Sequence, residues 1–131
     1  MEKQMKRAKI FNYTIATIFF LGFVGIIIFL GAFKWSRTFT VSKWMENPEK
    51  RYKIVADMLS TYEIEGMTEQ EIIGLLGEET KKAPEEFKYP RGSFPNDSTL
   101  TYYLGVDFMD NSWLIIRLQN GVAVGHDIGL T

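Results

Sequence analysis

Hydrophobic side chains are distributed unevenly along this sequence, with a long uncharged stretch near the N-terminus and shorter periodic segments after it. Residues 10–33 include no charged side chain. As an α-helix, a stretch of that length would extend about 36 Å at roughly 1.5 Å per residue. The hydrocarbon core of a bilayer is about 30 Å thick. The stretch therefore predicts a transmembrane helix over residues 10–33, with the lipid bilayer as a partner.

The next periodic segment predicts an amphipathic helix over residues 48–62. Asn47-Pro48-Glu49 is typical of a helix start, with Asn as the N-cap and Pro at the first helical position. An apolar stripe with helical spacing follows, formed by Ile54, Val55, Met58, Leu59 and Tyr62. Arg51, Lys53 and Asp57 lie largely off this stripe, so we expect their side chains to face solvent.

A second, shorter helix is predicted after residue 67. Thr68 and Glu71 have the spacing of a capping box, in which each side chain accepts a hydrogen bond from the other residue's N–H. Gly77 stands where a glycine commonly ends a helix. Gly74 is unfavourable within so short a helix, and we expect it to mark close packing against a neighbour. The short connection around Glu65-Gly66 makes the two helices a helical hairpin.

Three later segments alternate between apolar and polar residues and predict antiparallel strands: Leu100–Leu104, Trp113–Leu118 and Val122–Ile128. Asn120-Gly121 predicts a type I′ turn between the last two. The connection over residues 78–98 is rich in Pro, and a short fourth strand is predicted around residues 87–89. The expected fold class is α+β, with an N-terminal transmembrane helix followed by a helical hairpin packed on an antiparallel sheet of three to four strands.

The predicted turn also sets an expected register, with Gln119 opposite Val122. Regular alternation from that pair places Leu114, Ile116 and Leu118 on one face of the sheet, opposite smaller side chains. We expect the helices to cover this face and the other face to stay open. That open face is the candidate partner-binding surface, formed by Trp113, Ile115, Arg117, Val124 and His126.

Charge adds an orientation to this picture. Four of the 15 basic residues lie within the first nine positions, and the chain after residue 33 has 11 basic and 15 acidic residues, a net charge of −4. The positive-inside rule then places the N-terminus in the cytoplasm of a single-pass cell-membrane protein. The predicted organisation is a basic tail at 1–9, the transmembrane helix at 10–33, a linker at 34–46 with Trp44 near the membrane, and an extracytoplasmic domain at 47–131.

A cleavable signal peptide is the competing interpretation of the N-terminus. The apolar stretch is longer than the usual 7–15 residues of a signal peptide, and Leu30-Gly31-Ala32 has Leu where a small residue is needed. An uncleaved anchor is therefore favoured. The chain has no Cys, which excludes disulfides and a lipid-modified Cys, and the lack of excess basic charge argues against nucleic-acid binding.

Candidate chemistry is sparse. His126 is the only His, and the chain lacks the set of His and Cys ligands that a zinc site needs. Asp107, Asp110 and Asn111 share a loop and offer oxygen atoms, but their spacing matches no EF-hand. Phosphate-binding loops and nucleophile motifs are absent from the sequence. We therefore expect no cofactor, no bound metal and no enzymatic activity.

Several short motifs resemble the SmpA/OmlA (BamE-like) family. The matching segments are Asp57-Met58-Leu59, Gly66-Met67-Thr68 with Glu71, Leu75-Leu76-Gly77-Glu78, Tyr102-Tyr103-Leu104-Gly105 and Asp110-Asn111-Ser112-Trp113-Leu114. The resemblance implies a two-layer α+β fold of the β-lactamase-inhibitor-protein type, in which the exposed face of the sheet or its loops bind another protein. Two features depart from the family: a transmembrane helix replaces the lipidated Cys, and Glu79 replaces a common Pro. The role of the family's outer-membrane assembly members is therefore not carried over.

Three functions are compatible with the sequence. The first is a membrane-anchored protein-binding module, with a structural or regulatory role at the cell envelope and an envelope or membrane protein as its partner. The second is an immunity or inhibitor protein that blocks a secreted or membrane-active toxin through the same surface. The third is a small metal-dependent enzyme that uses Asp107, Asp110 and His126.

Overall fold

The computed structural model describes residues 1–80 and 97–131. The chain divides into two compact units, Met1–Ser36 and Arg37–Thr131. The strand predicted around residues 87–89 and most of the 78–98 connection lie outside the described residues. The second unit is α+β, as predicted, with short helices and a three-stranded antiparallel sheet.

Helix α1, Glu2–Arg37, forms the first unit and continues one residue into the second. None of its residues is buried, and it is long and apolar enough to cross a membrane. The hydroxyl groups of Thr14 and Thr17 donate to the carbonyl oxygens of Ile10 and Tyr13, at 2.9 and 2.8 Å. These hydroxyls are therefore satisfied within the helix, as an apolar environment requires.

The second unit begins with a short helix, α2, that the sequence pattern did not predict. Helix α2, Val41–Glu46, occupies most of the expected linker, and its N-cap Thr40 accepts a hydrogen bond from the Lys43 N–H. Trp44 is fully buried rather than interfacial. Its indole Nε1 donates to the carbonyl oxygen of Leu76 at 2.9 Å. Because this contact joins segments 32 residues apart, local sequence patterns do not reveal it.

The expected helix over residues 48–62 is also divided. A 3-10 helix, Pro48–Lys53, is followed by helix α3, Val55–Thr61, and the two meet at Ile54. Asn47 makes no side-chain capping bond. The 3-10 helix runs against the sheet so closely that a Cβ at Gly105 would lie 2.0 Å from the Glu49 carbonyl oxygen. Tight backbone packing on β1 thus accompanies the interruption.

Helix α4, Glu69–Leu76, agrees with its prediction. Both hydrogen bonds of the Thr68–Glu71 capping box are present, and Gly77 ends the helix with φ of +78°. The expected close packing at Gly74 is wrong, because no described atom lies within 4 Å of where its Cβ would be. Gly74 therefore faces open space.

The sheet has the order β1-β2-β3, formed by Asp97–Asp107, Asp110–Gln119 and Val122–Leu130. Each strand is longer than the segment of alternating apolar and polar residues that predicted it. Leu114, Ile116 and Leu118 are buried under the helices, as expected for this face. They join residues of α2, α3 and α4 in a single core, against which Tyr52 of the 3-10 helix packs. The core includes Phe39, Trp44, Ile54, Val55, Met58, Ile72, Leu76, Tyr102 and Leu104.

Candidate partner-binding surface

A β-bulge in β3 changes the face assignment expected from the sequence. Gln119 pairs with Val122 and Leu118 with Ala123, as predicted, but Arg117 then pairs with Gly125 instead of Val124. A bulge places two residues of one strand opposite one residue of its partner. Every later residue of β3 is therefore shifted by one position and lies on the face opposite to the one that regular alternation predicts.

Gly125 makes room for the Arg117 side chain at this point. A Cβ at Gly125 would lie 2.4 Å from a terminal guanidinium nitrogen of Arg117. Arg117 also lies beside Asp127, with 3.6 Å between Nε and Oδ2, and both side chains are about half exposed. A solvent-exposed ion pair of this kind contributes at most about 1 kcal/mol. The pair orients Arg117 and adds little stability.

His126 is not on the predicted open face. The bulge places it opposite Ile116, which belongs to the face that the helices cover. Its Nδ1 lies 2.5 Å from Oε1 of Glu65, in the connection between α3 and α4. A hydrogen bond from the Glu65 backbone N–H lowers the pKa of that carboxyl group. Burial opposes this effect, and the hydrogen bond and charge of His126 each lower the pKa by a smaller amount. His126 thus attaches the helix connection to the sheet.

Trp113 and Ile115 do keep the predicted face but are not open. Their exposed fractions are only 8% and 7%. The Trp113 ring lies 5.1 Å from the ring of Tyr103, and its Nε1 donates to Oγ1 of Thr131 at 3.1 Å. Of the five residues of the predicted surface, Arg117 and Val124 are the most exposed, and each is about half exposed. The face does not form the continuous accessible surface that alternation predicted.

Arg51 also departs from expectation, because it is buried rather than solvated. Its Nε donates to the Trp44 carbonyl oxygen at 2.7 Å, and the guanidinium lies 4.6 Å from the centre of the Trp44 ring. A second nitrogen donates to the carbonyl oxygen of Tyr103 at 3.3 Å. Burial lowers the pKa of Arg51, which the nearby Tyr102 hydroxyl partly offsets. Its bonds to backbone carbonyls join α2 to β1, which is a structural role.

Asp57 was likewise expected in solvent, but it is partly buried and accepts a hydrogen bond from the Phe39 N–H at 2.6 Å. Lys53 is exposed, as predicted.

In the described part of the chain, Asp107, Asp110 and His126 do not come together as a metal site. Asp107 and Asp110 face each other at one end of the sheet, whereas His126 pairs with Ile116. Six residues along a strand separate these positions, or about 20 Å. Residues 1–80 and 97–131 hold no group of three potential metal ligands.

A pocket of about 400 Å³ lies beside the 3-10 helix and includes two carboxylates, Glu46 and Glu49, with Lys50 and Tyr103. These four side chains offer polar contacts.

Exposed apolar side chains also lie at the β1–β2 turn and in the adjoining parts of β1 and β3. We call this region the apolar end: Phe108 and Met109 form the turn, Val106 lies on one face of the sheet, and Ile128 and Leu130 lie on the other. Phe108 is 96% exposed and Met109 is 83% exposed. The neighbouring backbones are joined here, because Asn111 pairs with Val106 and exchanges two hydrogen bonds with Thr131. The region therefore combines the tip of a hairpin with the end of the next strand.

The hairpin tip is a two-residue turn with unfavourable backbone geometry. Asp107 pairs with Asp110, so Phe108 and Met109 alone make the loop. Phe108 has φ of +66°, in a region that bulky residues rarely adopt. The left-handed conformation costs about 1–2 kcal/mol for an L-residue. The sequence pattern drew attention to Asp107 and Asp110 as potential ligands and not to the two apolar residues between them. Apolar side chains in so short a turn are nevertheless a signal of a binding surface.

No protein-family model, curated protein or solved structure matches this chain in comparisons with known proteins. The resemblance to the SmpA/OmlA family therefore stays a prediction that rests on the motifs in the sequence.

Proposed function

We propose that this chain is a single-pass membrane-anchored protein whose second unit binds a partner protein at the cell envelope through the apolar end. The uncharged part of α1 would be the anchor, and the basic N-terminal residues favour a cytoplasmic N-terminus. The second unit would then be extracytoplasmic. Its role would be structural or regulatory rather than catalytic.

The observation that carries this proposal is the exposure of Phe108 and Met109. Fully burying a side chain of either type is favourable by about 1.5–3 kcal/mol, and the fold leaves both in solvent. Phe and Met are also enriched where proteins bind one another. The apolar end thus replaces the predicted Trp113–Ile115 surface as the region with the most to gain from a partner.

The size of the native complex tests the proposal. We would extract the full-length chain from its own membranes in mild detergent and compare wild type with Phe108→Asp. Wild type should migrate in a complex larger than the chain, and Phe108→Asp should migrate as the free chain. Val124→Asp is the matched control, because Val124 is exposed in the same sheet outside the apolar end. A complex of unchanged size in Phe108→Asp would contradict binding through the apolar end.

Membrane topology needs a separate experiment. The chain has no Cys, so single substitutions Lys3→Cys and Asn120→Cys introduce unique thiols. A membrane-impermeant maleimide should label Asn120→Cys in intact cells and Lys3→Cys only after lysis. The opposite pattern would show a reversed orientation. Labelling of neither position in intact cells would place the second unit inside the cell.

A further inference from the structure

The charges around Phe108 and Met109 indicate what kind of partner they fit. Asp107 and Asp110 are directly opposite each other at the base of the turn. Like charges in this position of an antiparallel pair repel. Within residues 1–80 and 97–131, neither carboxylate forms an ion pair. The turn therefore presents an apolar tip between two acidic groups.

We propose that Phe108 and Met109 insert into an apolar pocket of a partner protein whose rim carries Lys or Arg side chains that bind Asp107 and Asp110. This inference rests on the proposed function and adds the chemistry of the partner. Apolar anchors buried in a pocket commonly dominate the affinity of an interface, and charges at its edge set orientation and specificity. Such a partner would bury both exposed side chains and reduce the repulsion between the carboxylates.

The same charges argue against a bilayer as the occupant. Membrane surfaces with anionic lipids attract Lys and Arg residues next to the inserted apolar groups. The residues that flank this tip are acidic. Insertion of the tip would bring their carboxylates close to the anionic headgroups. Repulsion and desolvation would therefore oppose insertion.

A second copy of the chain is disfavoured for a related reason. In a two-fold symmetric dimer, each copy presents the same patch. Contact between two tips would bring the Asp107 and Asp110 carboxylates of both copies together. A partner with basic groups of its own has no such penalty.

Site-specific photo-crosslinking tests this proposal in the full-length chain within its native membranes. The photoreactive residue p-benzoylphenylalanine replaces Phe108, which it resembles in shape, and replaces Val124 in the control. We expect an adduct with one protein from position 108 and none from position 124. Mass spectrometry should place the cross-link in a segment of the partner with apolar residues beside Lys or Arg.

Charge reversal then separates the basic rim from simple apolar contact. Asp107→Lys with Asp110→Lys keeps two like charges opposite each other, so the repulsion within the turn is retained while its sign toward the partner changes. The yield of adduct should fall about tenfold or more, in line with the loss of a charged contact. Asp107→Asn with Asp110→Asn should give an intermediate yield. Melting of each purified variant checks that the second unit remains folded.

Each other outcome contradicts a defined part of the proposal. A protein adduct that charge reversal leaves unchanged would overturn the basic rim but leave the proposed function standing. An adduct with a second copy of the chain would overturn the heterologous partner. A lipid adduct, in native membranes or in vesicles of phosphatidylcholine and phosphatidylglycerol, would overturn protein binding by the tip altogether. A lack of any adduct from position 108 would overturn insertion.

Discussion

The two turns of the sheet have the same length and opposite chemistry. Between β2 and β3, Asn120 and Gly121 have φ of +53° and +78°, and both residue types tolerate this conformation. Between β1 and β2, the residue with positive φ is Phe108. The first turn, Asn120-Gly121, has residues that favour its backbone conformation. The second turn, Phe108-Met109, has a bulky apolar residue at a positive φ that such residues disfavour.

The surroundings of the two turns differ as well. The Glu69 N–H donates to the Gly121 carbonyl oxygen at 3.0 Å, and Ala123 exchanges hydrogen bonds with Gly66 and Met67. The Asn120-Gly121 turn is thus attached to the helix connection. Phe108 and Met109 are almost fully exposed. The first turn is therefore integrated into the fold, whereas the proposed function assigns partner binding to the second. The following substitutions test this separation.

The largest effect on folding is expected for Gly121→Val. A β-branched residue at φ of +78° should destabilise the second unit by about 1–2 kcal/mol, or roughly 5–10 °C in melting temperature. The measurement is thermal unfolding of the full-length chain, with Asn120→Gly as a control that keeps the conformation accessible. Binding by the folded fraction should be unchanged, and a loss of binding here would end the separation between the turns.

Phe108→Gly should have a smaller effect of opposite sign on stability. Glycine adopts positive φ without steric cost, but it gains more entropy on unfolding, so we expect a net stabilisation of about 0.5–1 kcal/mol. Partner binding should weaken in the same variant. Chemical unfolding and complex size measure the two effects. A destabilised Phe108→Gly would show instead that the Phe side chain supports the fold.

Asp107→Asn with Asp110→Asn sharpens the same comparison. Removing the repulsion between opposed carboxylates should stabilise the second unit by a few tenths of a kcal/mol. Wild-type stability should rise with added salt, which screens exposed charges, and the double variant should lose this dependence. Equal salt dependence in both proteins would mean that the two carboxylates do not repel each other in the fold.

The smallest effect concerns pH at Glu65, in the connection between α3 and α4 to which the Asn120-Gly121 turn is attached. The pKa of Glu65 is lowered in the folded state, so its stabilising contribution is present above its ordinary value of 4.5 and is lost as the pH falls through the lowered pKa. Glu65→Gln should remove this part of the acid sensitivity. Unfolding of both proteins between neutral and acidic pH measures it, and identical pH profiles would show that Glu65 contributes nothing.

Local signals in the sequence predicted much of the fold. The Thr68–Glu71 capping box and the Asn120-Gly121 turn depend on residues a few positions apart, and both are present. Trp44 and Arg51 were misplaced because their partners, Leu76 and Tyr103, come from distant parts of the chain. Contacts of that kind arise only when the elements pack.

The candidate surface was harder to predict, for a reason confined to one residue. Alternation was correct up to Ala123, and the bulge that follows moved His126 to the other face. Regular alternation cannot anticipate an extra residue. The sequence feature that accompanies the bulge is the glycine at position 125, which makes room for the large Arg117 side chain.

That bulge also bears on how the length of β3 can change. Leu118 pairs with Ala123 and Arg117 with Gly125, so Val124 is the one residue between them without a counterpart on β2. Deleting it would leave each of the other pairs of β2 and β3 with its present partner. A gap of one residue at position 124 is therefore neutral for the faces of the sheet.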